Sequence, residues 1–410
     1  MDNCAAPGLI PLPEALNKQL EKITATRATE VVPIDKALDR IIALPARADV
    51  NVPPTDNSAM DGYAICLTED TSHSSYRLVG DALAGHPFQQ KVSLGETVRI
   101  MTGATIPEGA NCVIMQENST VEGDQVTFSD GFTVGKNIRP AGSDIQKGSQ
   151  LIDAGTRLTA AHLAMIASLG IASVTVYKKL KVGVVSTGDE LQQPGNPLAE
   201  GQLYESNRFG LKAMLARLPI EVIDYGILPD EPEVIERVFL TAARECDWLL
   251  SSGGVSVGDA DYVKQVLDKI GDIGFWKVAI KPGKPYAFGK IHECWFSGLP
   301  GNPVSTFVTF LQLVVPCLRV MAGEQAVQTQ KWRAKLTKTI RRRAGRLDFQ
   351  RGIFEQRDDG SFVASPCAQQ SSGVMTSFLQ ANCFILLPAD AAQLEENCLV
   401  EIIPFDRYLD

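Results

Sequence analysis

"DWLLSSGGVSVGDADYV", residues 247–263, passes from an apolar run into serines and glycines and then into two acidic residues, Asp259 and Asp261. One interpretation is a strand, a turn and the start of a helix. The other is a ligand cradle, because glycines expose backbone N–H groups to an anion and neighbouring carboxylates bind a metal ion. Both interpretations place a strand before the glycines and a helix after them, and this order decides the fold.

On both sides of this stretch, strand-like apolar runs alternate with helical patterns. Strands are predicted at 181–185, 220–228, 247–250 and 274–280, and helices at 206–218, 230–245 and 261–271. We expect Ser206 to be the N-cap of its helix, and Asp230 and Glu233 to form a capping box. Strands that alternate with helices of 10–15 residues indicate a parallel, doubly wound sheet.

The rest of the chain predicts three further domains. Short alternating runs separated by Gly, Asn and Asp clusters indicate β structure, whereas helical spacing occurs at 13–23, at 157–171 and, after a short extended piece, within 30–43. The α/β multidomain chain is therefore divided into a helical linker domain (1–48 and 142–178), an inserted β domain (49–141), the doubly wound domain (179–327) and a C-terminal β barrel or sandwich (328–410).

Composition limits the classes of partner. The chain has 410 residues, more than single cores usually hold, and 48 acidic residues against 39 basic ones. A net charge of −9 argues against a dedicated nucleic-acid binder. We interpret the basic run RRRAGR (341–346) as a solvated strand edge rather than a nucleic-acid patch.

The cysteines and the apolar segments indicate a cytoplasmic protein. Nine scattered cysteines without a C-x-x-C pair, and four histidines far apart, argue against zinc sites and disulfide frameworks. The N-terminal residues lack a basic region followed by a long apolar one, so we expect no secretory signal. The apolar segment 302–323 contains Pro316 and lies inside a globular pattern, which predicts a buried helix and no membrane span.

Five loops that follow predicted strands carry residues suited to an anionic ligand. They are STGDEL (186–191), PDEPE (229–233), the quoted stretch, KPGKP (281–285) and LPGNPVS (299–305). The residues of interest are the glycines Gly253 and Gly254, the hydroxyl residues Ser251, Ser252 and Ser256, the lysines Lys277, Lys281 and Lys284, and the acids Glu190, Asp230, Asp259 and Asp261. Ligands of doubly wound sheets bind where such loops leave the strands, so we expect an anion site with Mg²⁺ on the acids.

Each loop taken alone has a structural explanation. Asp230 is explained by a helix cap, Ser-Gly-Gly by a turn, and a single lysine by the solvated surface. The convergence of the loops on one edge of a parallel sheet favours the ligand site. No P-loop, H-E-x-x-H or G-x-S-x-G motif occurs, which argues against conventional NTPases, metalloproteases and α/β-hydrolases.

Six segments together resemble the bacterial MoeA family of molybdopterin molybdenumtransferases, which is related to the plant and gephyrin E domains. They are DNSAMDGYA (56–64), IMTGATIPEGA (100–110), STGDEL, SSGGVSVGDADYV (251–263), KPGKP and LPGNPVS. They occur in the family's order and span nearly the whole chain. The resemblance implies that the doubly wound domain is MogA-like.

The resemblance also implies an activity. Molybdate is inserted into adenylylated molybdopterin with Mg²⁺ and with release of AMP, without a protein nucleophile; either molybdate or water supplies the attacking oxygen. It further implies a homodimer whose cleft lies between the doubly wound domain of one subunit and the β domain of the other, and a molybdopterin adenylyltransferase as partner. The alternative from another class is a non-catalytic pterin-binding scaffold.

Roles carried over from the family are expectations for matching positions. Asp61 and Thr102 line the cleft from the partner subunit. Glu190, Asp230 and Asp261 bind Mg²⁺ and orient the phosphates, and Lys277, Lys281 and Lys284 attract the oxyanion and the pterin phosphate. The substrate-binding positions are Thr187, Gly188, Asp189, Ser252, Gly253, Gly254, Pro300, Asn302, Pro303 and Ser305, with Arg346 and Ser377 as further oxyanion contacts.

Overall fold

The computed structural model describes residues 8–68, 74–129, 133–254, 262–325, 329–406 and 408–409. Up to residue 178 the helices are α1 (Leu12–Leu20) and α2 (Ala160–Ser168), with 3₁₀ turns at Ile34–Lys36 and Gln116–Asn118. The strands of this part are β1 (Thr29–Pro33), β2 (Ala46–Arg47), β3 (Asn57–Ser58), β4 (Gly62–Ile65), β5 (Tyr76–Ala82), β6 (Glu96–Ile100), β7 (Cys112–Met115), β8 (Ser119–Glu122), β9 (Gln125–Phe128), β10 (Ile138–Arg139), β11 (Gln150–Ile152) and β12 (Ser173–Tyr177).

The remaining elements form the central and C-terminal parts. The helices are α3 (Asn207–Leu215), α4 (Pro232–Glu245), α5 (Tyr262–Ile270), α6 (Pro303–Thr309), α7 (Val315–Met321) and α8 (Thr376–Gln380), with a π-helical turn at Phe310–Val314. The strands are β13 (Leu180–Thr187), β14 (Leu191–Gln192), β15 (Leu203–Tyr204), β16 (Ile220–Leu228), β17 (Trp248–Ser252), β18 (Asp272–Lys277), β19 (Ile280–Lys281), β20 (Pro285–Ile291), β21 (Cys294–Leu299), β22 (Trp332–Leu336), β23 (Ile340–Arg341), β24 (Leu347–Gln356), β25 (Phe362–Pro366), β26 (Cys383–Leu387), β27 (Gln393–Leu394) and β28 (Leu399–Pro404).

The central sheet confirms the predicted α/β fold class. Its strand order is β16-β13-β17-β21-β20-β18, and the first four strands are parallel. The sheet is not wholly parallel, since β20 runs antiparallel to both neighbours. The reason is the connection between β20 and β21, where His292 and Glu293 form a two-residue turn that can join only antiparallel strands. The carboxyl ends of the four parallel strands still meet at one edge.

Side chains on the two faces of this sheet build two cores. In β17, Trp248 and Leu250 face the core beneath α3, α6 and α7, while Leu249 faces the core beneath α4 and α5. This alternation follows from the two-residue period of a strand. Because apolar residues cover both faces, the loops at the sheet edge are supported by rigid elements.

The first helix, α1, packs on the central domain. Ala15 is fully buried in the core that contains Trp248, and Gln19 Nε2 donates a hydrogen bond to the Tyr286 hydroxyl at 2.6 Å. The assignment of 1–48 to the linker domain stays a prediction, and this helix is the part of that segment that packs on the central domain. The apolar face of α1 packs on central-domain residues that are far away in the sequence, and a local pattern cannot reveal such a contact.

The helix predicted within 302–323 is confirmed as a buried element. Among the described residues, Pro303–Met321 is the one helix long and apolar enough to cross a bilayer, and 67% of its most apolar window is buried inside the protein. Phe307, Phe310 and Leu313 lie in the core of the central domain.

The helix predicted within 30–43 is not formed. Only one 3₁₀ turn follows β1, and Asp39 adopts a left-handed φ of 63°. Ile41 and Ile42, each 1% exposed, instead make isolated bridges to Arg157 and Val176. Two consecutive buried isoleucines fit extended chain better than a helix face, and these tertiary contacts outweigh the local helical spacing.

The inserted and C-terminal domains are both built on β-sheets. The inserted domain contains a six-stranded sheet in the order β7-β4-β6-β5-β9-β8. In the C-terminal domain, β24, β25, β22, β28 and β26 pair in that order, and the additional β24–β26 pairing closes the barrel. The short strand β19 of the central domain pairs with β24, which joins the two domains beside the candidate site.

Candidate functional site

The strand ends of the central sheet open into one cavity of about 1050 Å³. It lies between the central domain and the C-terminal barrel. The predicted residues that line it are Thr187, Gly188, Glu190, Asp230, Ser252, Gly253, Gly254, Lys281, Lys284, Pro300, Asn302, Pro303, Ser305 and Arg346. Residues from loops more than 150 positions apart in the sequence therefore share one site, as the expected convergence at a sheet edge requires.

Two glycines let the loop after β17 lie against the end of β13. Gly253 and Gly254 have φ values of 95° and 67°, a region that favours glycine. A Cβ atom on Gly253 would lie 2.9 Å from the carbonyl oxygen of Thr187, and one on Gly254 would lie 2.3 Å from Val263. Both positions therefore require glycine. Because neither residue carries a side chain, the loop backbone itself lies at the cavity wall.

The loop 299–305 brings a helix N-terminus to the same wall. Asn302 is the N-cap of α6, and Pro303 occupies its first turn, where a missing N–H costs nothing. The buried Thr306 hydroxyl bonds to the carbonyls of Pro300 and Asn302, which holds the loop. The positive end of the helix dipole thus faces the cavity.

The acidic wall contains Asp230, which lies outside the helix it was predicted to cap. The N-cap of α4 is Glu231, and no side chain caps this helix, so the capping box with Glu233 is wrong. The backbone N–H of Asp230 donates to Asp189 Oδ1 at 3.1 Å. Burial and the negative charges of Asp189 and Glu190 raise the pKa of the Asp230 carboxyl above its ordinary value. Such a concentration of negative charge favours a bound cation.

The basic wall contains Lys281, Lys284 and Arg346. Lys281 Nζ lies 3.2 Å from Asp348 Oδ2, and Arg346 Nη1 donates to the carbonyl of Ile280 at 3.4 Å. The KPGKP turn is held close to α6, where a Cβ atom on Gly283 would lie 2.4 Å from the Thr309 hydroxyl. Three cations therefore face the cavity from rigid backbone, in an arrangement suited to an oxyanion.

Three predicted residues lie near the cavity but do not line it. Lys277 is exposed at the end of β18, and Asp189 is exposed and accepts a hydrogen bond from the Asp230 backbone. Ser377 is 3% exposed, accepts a hydrogen bond from Arg351 Nε at 3.0 Å and donates one to the Val374 carbonyl, so its hydroxyl is bonded within the protein. The family resemblance pointed to this serine but not to these bonds.

Asp61 and Thr102 lie in the inserted domain and do not line this cavity. Asp61 Oδ1 accepts hydrogen bonds from the Thr102 backbone N–H at 2.7 Å and from its hydroxyl at 2.8 Å. These two bonds hold the pKa of the Asp61 carboxyl below its ordinary value. The pair is exposed to solvent and preorganised within the chain.

Asp261, with Asp259 and Ser256, lies outside the described residues, so its role as a metal ligand stays a prediction. Within the described ranges, no group of three or more His, Cys, Asp or Glu residues has a metal-binding arrangement.

Several lining residues were missed by the sequence reasoning. Asn207 is 8% exposed and donates through Nδ2 to Ser252 Oγ at 2.8 Å and to the Gly301 carbonyl at 2.7 Å, bridging two site loops. Seven further lining residues lie within the predicted site loops: Leu191, Tyr262, Val263, Pro282, Gly283, Pro285 and Gly301. The residues missed outside those loops are Leu203, Tyr204, Glu205, Ser206, Gln370, Ser371 and Ser372. Asn207 carried a usable signal, because it begins a helix that follows a strand. The 370–372 loop carried none, because only tertiary folding brings it to the cavity.

Comparisons with known proteins cover nearly the whole chain. Three family models match it: the MoeA N-terminal region (domain I and II) at residues 10–170, the probable molybdopterin binding domain at 183–320, and the MoeA C-terminal region (domain IV) at 333–405. The chain is 44% identical to a molybdopterin molybdenumtransferase of Haemophilus influenzae, with 98% of this chain and 100% of that protein covered.

Two further comparisons extend the similarity. Gephyrin of Dictyostelium discoideum is 31% identical, with 96% of this chain and 62% of that protein covered. The crystal structure of a molybdopterin biosynthesis MoeA protein from Pyrococcus horikoshii OT3 superposes with a TM-score of 0.84 at 31% identity, covering 97% of this chain and 100% of that one. Sequence and fold therefore point to the same group of proteins.

Proposed function

The chain belongs to the MoeA family of molybdopterin molybdenumtransferases, and we propose that it inserts molybdate into adenylylated molybdopterin and releases AMP in an Mg²⁺-dependent step. The product is the molybdenum cofactor. The family match over the full length supports the reaction class.

The observation that carries the proposal is the opposition of charge within one cavity. Glu190 and Asp230 line the same cavity as Lys281, Lys284 and Arg346. The proposed substrates require both, because Mg²⁺ prefers carboxylate and phosphate oxygens whereas molybdate and phosphate are anions. A site for a neutral ligand would not need this arrangement.

Glu190 and Asp230 would hold the magnesium ion, together with Asp261. Burial, together with the negative charges of Asp189 and Glu190, raises the pKa of the Asp230 carboxyl, and a bound cation would neutralise those charges. Two side-chain ligands are enough for Mg²⁺ when phosphates and water complete the shell. The ion supplies charge neutralisation and polarisation at the phosphate that links AMP to the pterin.

The other residues bind and orient the reactants. The backbone around Gly253 and Gly254 and the N-terminus of α6 are suited to the phosphates, while Lys281 and Lys284 hold the molybdate anion. Positioning and charge stabilisation account for the catalysis without a protein nucleophile. Every cysteine that the structure describes is free and none lines the cavity, which agrees with the pterin dithiolene as the soft ligand for molybdenum.

We further propose a homodimer in which Asp61 and Thr102 of each subunit complete the cavity of the other. Their exposed position supports this, because a hydrogen-bonded carboxylate held in a fixed position would then face a ligand. An apolar surface on the linker domain is available for the subunit contact: Val31 is 68% and Leu44 60% exposed.

The proposal also includes a partner enzyme that supplies the substrate and a cytoplasmic location. An adenylylated pterin is an activated intermediate, so a molybdopterin adenylyltransferase is the expected partner that delivers it. The free cysteines support a reducing compartment, the cytoplasm.

The test is a reconstitution with purified protein, adenylylated molybdopterin, molybdate and Mg²⁺. We expect AMP release together with cofactor that activates a molybdenum-dependent apoenzyme, and loss of both in Asp230→Asn. Binding of the adenylylated pterin without AMP release would instead favour the non-catalytic scaffold.

A further inference from the structure

We infer that Asp348 is a positioning residue that holds the Lys281 ammonium group in the cavity, so that the C-terminal barrel sets the anion affinity of the central domain. The inference rests on the proposed function, because it assumes that Lys281 binds an anionic reactant. Asp348 does not line the cavity and would act through Lys281.

Asp348 is a buried carboxylate whose charge needs a partner. Its side chain is 3% exposed, whereas that of Lys281 is 42% exposed, and Lys281 Nζ lies 3.2 Å from Asp348 Oδ2. Gln350 Nε2 donates to the same oxygen at 3.4 Å. Among the described residues, Lys281 is the only one with a charged nitrogen within 4.0 Å of this carboxylate. A buried carboxylate is stabilised by a nearby cation, so this geometry favours an ammonium group held against Asp348.

The backbone fixes the geometry of this pair. Lys281 stands opposite Asp348 in the parallel β19–β24 pairing, and the Leu347 N–H donates to the Ala279 carbonyl at 2.9 Å. Arg346, next to this pairing, bonds to the Ile280 carbonyl. Movement of the barrel relative to the central domain would therefore move the ammonium group.

Two arginines also surround Asp348, but other groups hold them. Arg351 donates from Nε to Ser377 Oγ and from Nη2 to the Ser371 carbonyl, both at 3.0 Å. Arg342 donates from Nη1 to the Arg346 carbonyl at 2.9 Å. These guanidinium groups lower the cost of burying the carboxylate, and Lys281 remains the cation that extends from it to the cavity.

The consequence for binding is preorganisation. An ammonium group has three donors, and a bond to Asp348 leaves the others for a ligand. A lysine side chain that is already ordered loses less conformational entropy when an anion binds. Without the carboxylate, the ammonium would sample solvent, and the loss of its fixed position would outweigh the attraction gained by removing one negative charge near the anion.

The experiment is a double-mutant cycle in the full-length protein, with calorimetric titration of molybdate. We expect Asp348→Asn to weaken molybdate binding about 2- to 10-fold, the cost of ordering one long side chain, and Lys281→Met to weaken it at least as much. The double variant should match Lys281→Met, because Asp348 acts only through the lysine.

Matched variants separate this role from a loss of stability. Glu324→Gln removes a buried carboxylate paired with Arg319 at 2.6 Å, outside the cavity, and should leave molybdate binding unchanged. Asp348→Glu keeps the charge and should bind molybdate more tightly than Asp348→Asn. Thermal unfolding checks that each variant is folded.

The outcomes distinguish the inference from the proposed function. Three results would overturn the inference alone. They are an unchanged molybdate affinity in Asp348→Asn, independent effects of the two substitutions on that affinity, and an Asp348→Glu variant that binds molybdate as weakly as Asp348→Asn. If wild-type protein does not bind molybdate, the proposed function is wrong and the inference falls with it.

Discussion

Asp230 shows how far single residues could be understood from sequence. Its position after a strand predicted a place at the ligand edge, and the structure puts it there. The sequence also offered a capping box, which is not formed because α4 begins two residues later. The same carboxylate was predicted both to line the cavity and to cap the helix. The structure shows that no side chain caps α4, so its oxygens do not bond to this helix end.

The charges around Asp230 lead to a prediction on pH. The Asp230 carboxyl must be ionised to hold the cation. Because its pKa is raised, it is protonated at a higher pH than an ordinary aspartate when the solution is acidified, and activity is lost there. Asp189→Asn removes one of the charges that raise this pKa. We therefore expect the acid limb of the profile of Mg²⁺-dependent AMP release to move to lower pH.

The control for this experiment is Asp35→Asn, which removes the same charge from an exposed position in the linker domain. It should leave the acid limb in place. An acid limb that stays in place in Asp189→Asn, or moves to higher pH, would contradict the assignment of Asp230.

At the scale of elements, α3 and α6 are packed too closely for a side chain at Gly210. A Cβ atom there would lie 2.2 Å from Cζ of Phe307. Alanine favours a helix over glycine by about 1 kcal/mol, but overpacking costs about 1–3 kcal/mol. We expect Gly210→Ala to lower the free energy of unfolding and, by shifting the start of α6, to weaken AMP binding.

Chemical denaturation and calorimetry measure these two effects. The double variant Gly210→Ala with Phe307→Leu provides space for the methyl group and should recover part of both losses. A Gly210→Ala protein as stable as the wild type would show that the two helices separate easily, contrary to this account.

The elements also show why part of the fold was predictable. Helices α3, α4 and α5 lie where the apolar spacing predicted them, because a surface helix must bury one stripe of its side chains. Strand β20 was missed because its turn at His292 and Glu293 lacks the usual glycine or asparagine. The helix expected within 30–43 failed because buried neighbours outweighed local spacing.

At the scale of the whole molecule, the relations between domains were beyond the sequence. Apart from Arg346 and Ser377, which the family resemblance supplied, the cavity residues were predicted from loops of the central sheet, yet Gln370, Ser371 and Ser372 also reach the cavity from the C-terminal domain. The β19–β24 pairing and the docking of α1 likewise join segments far apart in the chain. Such contacts depend on the folded arrangement, for which a single sequence carries no local signal.

The proposed shared cleft predicts complementation between two inactive variants. Asp61→Ala and Asp230→Ala each should abolish activity as homodimers. A heterodimer purified through two different tags contains one cleft with both aspartates, so we expect about half of the wild-type activity. An inactive heterodimer would mean that both residues act within one subunit or that the assembly differs.

The most direct measurement is a crystal structure of the protein soaked with molybdate and AMP. This account predicts both molecules in the 1050 Å³ cavity, with the anion at Lys281 and Lys284 and the AMP phosphate between the glycine loop and the Asp230 side. Molybdate and AMP bound elsewhere, with this cavity holding only solvent, would contradict it.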